Sequence, residues 1–211
     1  MIAFTGLLMQ SLSFDVMENT GRVTEQTLRC LQDSEFNYSH VVFPAQNGAA
    51  FDINVIANFK AASKLQYFRV DYYIMPASDK SPKEQIQQTM KRLITANAIS
   101  TNTTIWLDAE TTHSYFSTQQ ENQKFISELI DELLLYIIPS QIGIFSDYSS
   151  WRTLFGKTFS ISQFKLWYSN YNERADFEDF GEFGGWTEPA MKQYKGYAVV
   201  CDVELNQNVV R

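Results

Sequence analysis

Eight short apolar runs, most of them rich in β-branched and aromatic residues, recur along the 211 residues of this chain. They are FDVM (14–17), HVVFPA (40–45), FRVDYYIM (68–75), TIWLDAE (104–110), IGIFS (142–146), FKLWYS (164–169), MKQY (191–194) and YAVVCDVEL (197–205). Near-continuous apolar runs mark strands buried on both faces, as in a parallel sheet covered by helices, whereas strict alternation marks a sheet with one wet face. Helical spacing separates several of the runs. Between Gln119 and Tyr136, the residues Phe125, Ile126, Leu129, Ile130, Leu133 and Leu134 form one apolar face, and Pro139 ends the helix. After Pro82, which a first turn tolerates, Ile86, Met90, Leu93 and Ile94 form another. Glu25–Leu31 and Asp52–Ala62 are shorter helical candidates. The pattern weakens after Trp151, where NERADFEDFGEFGGWTEP carries turn residues and aromatics without a helical period. The expected fold is therefore α/β: an irregular eight-stranded β/α barrel with fewer than eight full helices and long C-terminal loops.

A composition of 45% hydrophobic and 15% aromatic residues is enough to fill one large core, so residues 14–211 are expected to form a single barrel domain. Residues 1–13 read as a signal peptide or an N-terminal extension, being mostly apolar and ending in small polar residues but lacking a basic start. No other stretch approaches the ~20 apolar residues of a membrane span, so no membrane partner is expected. A formal charge of −7, with no basic run interleaved with aromatics, argues against nucleic acid as a partner. It also argues against binding an anionic surface by net attraction, which leaves a shaped groove as the means of recognition. Two sequons, at Asn37 and Asn102, would accept glycans if the chain were secreted. Cys30 and Cys201 match no metal or redox spacing and form either one disulfide or two buried thiols. Barrel closure sets the first and last strands side by side, which brings the helix holding Cys30 toward the last strand. A Cys30–Cys201 bridge is therefore expected.

The sharpest chemical feature is Asp108-Ala109-Glu110 at the end of TIWL. Strand residues two apart share a face, and the C-terminal ends of parallel barrel strands hold active sites, so the two carboxylates should project together into the mouth. Like charges there would raise one pKa toward that of a general acid. A D-x-E pair alone is also what a solvated strand end looks like; the buried character of TIWL favours the catalytic reading. Asp15 in FDVM is a third carboxylate in apolar surroundings, facing a last strand on which Asp202, Glu204 and Asn206 alternate onto one side. Tyr73, Trp167, Tyr168 and Trp186 end strands or loops as aromatic surfaces that could stack on sugar rings, although core packing is the commoner role of each. Gln193 at the end of MKQY joins them as a substrate-binding candidate. His40 and His113 have no partners at metal spacing, so no metal and no cofactor is expected.

The segment LWYSNYNERADFEDFGEFGGWTEPAMKQYKG, with IWLDAE and GIFSDYSSW upstream, resembles the glycoside hydrolase family 25 lysozymes, in the branch found in nematodes, amoebae and other protists. The likeness runs from Phe14 to Asn208; FGGWTEPAMKQY (183–194) is its most specific stretch. The resemblance implies cleavage of the bond between N-acetylmuramic acid and N-acetylglucosamine in bacterial peptidoglycan, by a monomer that is secreted or lysosomal/phagosomal. It also implies roles. Glu110 would protonate the glycosidic oxygen, Asp108 would orient the N-acetyl group or stabilise positive charge, and Asp15 would assist.

The chain departs from the family where an Asp usually stands and Asn206 is found. It departs again at Ser169-Asn170 in place of Ala-His, at Phe145 in place of a Tyr, and in an Arg missing from the second strand. Loss of a carboxylate removes charge that would stabilise an oxocarbenium-like transition state. Glu204, on the same strand face as Asn206 and one step deeper, is expected to point toward Asp15 and compensate in part. The rival reading is a barrel that keeps the groove but has lost the chemistry, and binds cell-wall glycan.

Overall fold

In the computed structural model, residues 11–48, 50–111 and 115–211 are described. The strands are β1 (Ser11–Val16), β2 (His40–Asn47), β3 (Ala50–Phe51), β4 (Arg69–Met75), β5 (Ile105–Asp108), β6 (Ile142–Ser146), β7 (Lys165–Ser169), β8 (Met191–Val200) and β9 (Val203–Val210). They form one sheet in the order β1-β9-β8-β7-β6-β5-β4-β2-β3, and β1 also pairs with β2, so that eight strands close into a barrel with β3 appended to β2. The helices among the described residues are α1 (Glu25–Asp33), α2 (Val55–Ala62), α3 (Pro82–Thr95), α4 (Gln119–Leu133) and α5 (Tyr148–Leu154), five in number and fewer than eight as expected. Four of them start on a side-chain cap. Thr24, Ser81, Thr118 and Asp147 each accept a backbone N–H of the first turn, which satisfies a donor the helix itself cannot.

The end of the chain divides differently from the sequence reading. MKQY and YAVV belong to one long strand, β8, and the last strand is Val203–Val210 rather than 197–205. The two are joined at Cys201 and Asp202, both at positive φ (52° and 61°). That is the backbone of a two-residue hairpin turn, which usually requires Gly or Asn. An apolar run carried through a turn without glycine looks like one strand, so the reversal was hidden. In consequence β9 is antiparallel to both β8 and β1. At the other end, β1 begins at Ser11, and Ser11–Ser13, part of the 1–13 stretch read as a signal peptide or an N-terminal extension, pair with Asn208–Val210. Residues 1–10 lie outside the described residues.

Alternation along the strands separates two apolar regions. Outward-facing residues such as Phe14, Tyr72, Leu107, Ile144 and Leu166 pack under the helices, with Leu28, Ile86, Leu129 and Trp151 among their partners. Inward-facing Val42, Tyr73, Met75, Trp106, Phe145, Trp167 and Met191 fill the barrel itself. Below them, toward the strand N-termini, the interior is polar. Asp71 accepts hydrogen bonds from Arg69, from the Thr104 backbone N–H and from Trp106 Nε1, and His40 Nε2 lies 3.0 Å from its Oδ2. His40 is thus a structural residue at the floor; His113 lies outside the described residues. Burial opposes the charge on Asp71, but the attraction of the adjacent His40, with Arg69 and the Thr104 N–H, outweighs it and holds its pKa below the ordinary value.

The expected bridge is present: Cys30 on α1 bonds Cys201 in the hairpin turn, with Cα atoms 6.0 Å apart and a sequence separation of 171. By the chain-entropy account, closing so long a loop stabilises the fold by up to about 5 kcal/mol.

The barrel centre tolerates little added volume. A Cβ built on Gly143 of β6 would lie 2.2 Å from the Trp106 ring, with no flexible side-chain end to give way. Gly143→Ala should therefore lower the unfolding free energy by roughly 1–3 kcal/mol, as overpacking does, measured by urea titration at unchanged m-value. A variant as stable as the parent would show that the Trp106 ring is not held where the packing places it.

Candidate active site

The C-terminal ends of the barrel strands open on a cleft of about 450 Å³. β1 contributes Asp15, β4 contributes Tyr73 and Met75, and β5 ends at Asp108 with Glu110 just beyond. Phe145 and Trp167 form its floor, with ring centroids 4.3 Å apart. The expected trio of Asp15, Asp108 and Glu110 thus lines one cleft, together with Tyr73, Trp167, Gln193 and Asn206.

Asp15 is held by three side-chain amides. Its Oδ1 accepts from Gln193 Nε2 (2.7 Å) and Asn208 Nδ2 (2.8 Å), and its Oδ2 from Asn206 Nδ2 (2.8 Å). Asn208 in turn accepts Trp167 Nε1 at 2.9 Å, which fixes its amide with the NH2 toward Asp15. Burial raises the Asp15 pKa to about 6, because the three amide hydrogen bonds favour the carboxylate but offset only part of the desolvation.

At β5 the strand ends and the backbone turns, so that Asp108 Oδ1 accepts the Glu110 N–H at 3.1 Å. Tyr115 Oη donates to the Asp108 carbonyl at 2.7 Å. Glu110, half-buried at the rim, accepts Ser169 Oγ on Oε1 at 2.8 Å. Ser169 is thus a direct partner of Glu110. Tyr73 donates to the Val16 carbonyl at 3.1 Å, and burial together with Asp15, Glu18 and Asp108 pushes its phenol well above the ordinary value, so it stays a neutral donor.

Three placements need correction. Tyr168 follows Trp167 on β7 and so faces outward; its ring packs on Phe180 at 5.1 Å and its hydroxyl donates to Asp179. Trp186 is buried against Trp151 at 4.8 Å and donates to the Phe164 carbonyl. Glu204 does not point into the barrel. Because β9 runs antiparallel to β1, with Asp15 opposite Asn206 and Ser13 opposite Asn208, the residue two before Asn206 lies beyond the mouth rather than deeper. Glu204 is exposed there, beside Thr20 and Cys201.

The cleft also contains Glu18, Asn19, Tyr171 and Tyr197, which the sequence reading did not single out. Tyr171 and Tyr197 are 58% and 75% exposed, unlike the buried Tyr73 and Trp167, and so present ring faces to the cleft opening. Tyr171 lies two residues past Ser169 in the run LWYSNY and was within reach of the alternation argument. Tyr197 was not, because only the hairpin brings it to the rim, where its N–H donates to Asn206 Oδ1. Among the described residues no cluster of three or more His, Cys, Asp or Glu is arranged to hold a metal ion.

The family model described as "Lys-1: Lysozyme-like protein 1" matches residues 10–194. Over 204 residues the chain is 26% identical to "Probable GH family 25 lysozyme 5" of Dictyostelium discoideum, covering 96% of this chain and 91% of the relative. It is also 26% identical to "Lysozyme-like protein 5" of Caenorhabditis elegans, covering 89% and 87%. The solved structure of a family GH25 lysozyme from Aspergillus fumigatus superposes with a TM-score of 0.72 over 96% of this chain and 94% of that one, at 14% identity, a likeness of fold. A closed barrel with an antiparallel last strand, a mouth where Asp15, Asp108 and Glu110 meet, and a family match across most of the length agree: the chain belongs to the glycoside hydrolase family 25 lysozymes.

Proposed function

We propose that this protein is a muramidase that hydrolyses the bond between N-acetylmuramic acid and N-acetylglucosamine in bacterial peptidoglycan. The observation that carries the proposal is the convergence of Asp15, Asp108 and Glu110 in one cleft at the barrel mouth. In this reading Glu110 is the general acid that protonates the glycosidic oxygen, with Ser169 orienting its carboxyl. Asp108, its Oδ1 already engaged by the Glu110 N–H, orients the N-acetyl group or stabilises the positive charge developing on the sugar. Asp15 adds negative charge from the far wall when ionised. Tyr171 and Tyr197 offer exposed ring faces against which pyranose C–H groups pack. The protein acts as a monomer, secreted or delivered to a lysosome or phagosome; no described helix is long and apolar enough to cross a membrane.

Asn206 bears on the strength of this activity. It donates to Asp15 where the family usually has a carboxylate, so the cleft carries one negative charge fewer and a weakened enzyme is part of the proposal. Asn206→Asp should raise wall lysis, chiefly above neutral pH, because two adjacent carboxyls share one proton until the pH is high enough to ionise both.

Three measurements test the reading. On a zymogram of bacterial cell walls, Glu110→Gln should lose about 100-fold or more of the clearing activity, the usual weight of a general acid. A parent protein that sediments with insoluble peptidoglycan yet clears nothing, with and without Asn206→Asp, would instead make it a glycan-binding barrel. The third measurement reads Asp15 directly. The folded state keeps this proton up to about pH 6, whereas the unfolded chain releases it near pH 4. Asp15 therefore favours folding most below pH 4, and its contribution falls by roughly 3 kcal/mol as the pH rises through 6. Unfolding free energies of parent and Asp15→Ala measured from pH 4 to 7 should show that decline in their difference. A constant difference would mean that Asp15 titrates as an ordinary surface carboxyl.

A further inference from the structure

One buried cation has no part in the chemistry proposed above. Lys192, between Met191 and Gln193 on β8, faces out of the barrel and its side chain is fully buried (0% exposed). A buried ammonium is costly unless paired and fully hydrogen-bonded, and Lys192 is both. Its Nζ donates to Asp179 Oδ1 (2.6 Å), Asn172 Oδ1 (3.0 Å) and the Asp176 carbonyl (3.0 Å). Asp179 also accepts from Tyr168 Oη (2.9 Å) and Asn170 Nδ2 (2.6 Å). Burial works against its charge, but Lys192, Asn170 and Tyr168 outweigh burial and keep its pKa below the ordinary value.

All of these partners except Tyr168 lie in the segment between β7 and β8, from residue 170 to 179, which has no helix or strand of its own. Two backbone bonds, Asn170 N–H to the Gln193 carbonyl and Glu173 N–H to the Tyr194 carbonyl, lay the segment along β8. Tyr171 is thereby placed at the cleft, where its hydroxyl donates to Gln193 Oε1. Desolvation of its hydroxyl, with the nearby Glu110 and Asp15, raises the Tyr171 pKa although the ring is exposed, so it remains a donor. With Oε1 so engaged, the other end of the same amide, Nε2, is the end that reaches Asp15.

We propose that Lys192 is a positioning residue: with Asp179 it clamps the 170–179 segment so that Tyr171 holds the Gln193 amide in the orientation that donates to Asp15. Without the clamp, the amide is free to turn its oxygen toward the carboxylate, and Asp15 exchanges an attractive contact for a repulsive one. The other titratable groups around Asp15 are Glu18 after β1, Tyr73 on β4, Asp108 and Glu110 at β5, and Tyr197 on the hairpin. None of them is a hydrogen-bond partner of the Lys192 ammonium, whose contacts are Asn172, Asp176 and Asp179.

The proposal deepens the muramidase reading and depends on it only for the substrate, so the test begins with a measurement that needs no substrate. The ionisation midpoint of the Asp15 carboxyl is followed by carbon NMR in the parent, Lys192→Met, Tyr171→Phe, the double variant, and Asn172→Ala, which removes one anchor while keeping the buried cation paired. Lys192→Met and Tyr171→Phe should each raise the midpoint by about half a pH unit or more, as the loss of a hydrogen bond to a carboxylate does. The double variant should raise it no further than the larger single change, because both act through one amide. Asn172→Ala should move it in the same direction by less. A parent-like midpoint in folded Lys192→Met, or additive changes in the double variant, overturns the proposal. If Lys192→Met does not fold, Asn172→Ala decides, and a parent-like midpoint there overturns it equally. On peptidoglycan the same variants should move the acid limb of the pH–rate profile upward with the NMR midpoint. A protein inert on peptidoglycan with and without Asn206→Asp, whose Asp15 still responds, refutes the muramidase reading and leaves the clamp standing.

Discussion

A carboxylate inside a barrel has to be solvated by the protein, and Asp15 is solvated by three side-chain amides carried on two other strands. Gln193 comes from β8, and Asn206 and Asn208 from β9, so the hydrogen bonds cross the seam where the first strand meets the last two. They set the register of closure as well as the charge. A slip of β9 by one residue against β1 would turn Asn206 and Asn208 away from the mouth and leave a buried carboxylate facing aliphatic side chains. The conformation of the floor follows from the same point, because Asn208 also receives the indole N–H of Trp167.

The barrel interior is layered by polarity. At the strand N-termini, Asp71 gathers Arg69, His40, Thr104 and Trp106 into a filled polar floor. The middle is aromatic, with Trp106 and Trp167 edge to face at 5.7 Å and a glycine at position 143 that leaves room for the indole. Only the upper layer is both polar and open. The two buried aspartates therefore differ for a physical reason. Asp71 has a guanidinium and an imidazole beside it and its carboxyl is held low. Asp15 has neutral amides alone, which cannot fully replace water, and its carboxyl is held high.

The reversal at Cys201 and Asp202 shapes the rest of the mouth. It sends β9 back antiparallel, brings Tyr197 and Asn206 to the rim, and places Cys201 where α1 can bond it. A disulfide at the turn ties the end of a protruding hairpin to the helix layer, which limits the motion of the strand pair that supplies all three amide donors to Asp15. The buried Lys192 does the corresponding work for the neighbouring segment.

Much of this was legible in the sequence, and the division between what was and what was not follows the range of the interactions. Continuous apolar runs separated by helical spacing report burial on both faces, so the α/β barrel, most of its strands and its short complement of helices could be read locally. Asp108 and Glu110 were legible because strand and turn place them within three residues of each other, and Asp15 because it is a charge inside an apolar run. Glu204 was misplaced because its position depends on the sense of strand pairing: the antiparallel β9 lifts it out of the mouth. Tyr168 is turned outward by the one-residue step from Trp167 along β7, and Trp186 is buried by the packing of the β7–β8 loop on Trp151. Nothing in the local spacing of YAVVCDVEL reports a reversal at Cys201, because the turn contains no glycine. The sequence by itself determined the barrel and the carboxylates it carries. The tertiary structure decided which groups face them, because strand sense and register are set by contacts between residues up to 193 positions apart in the chain.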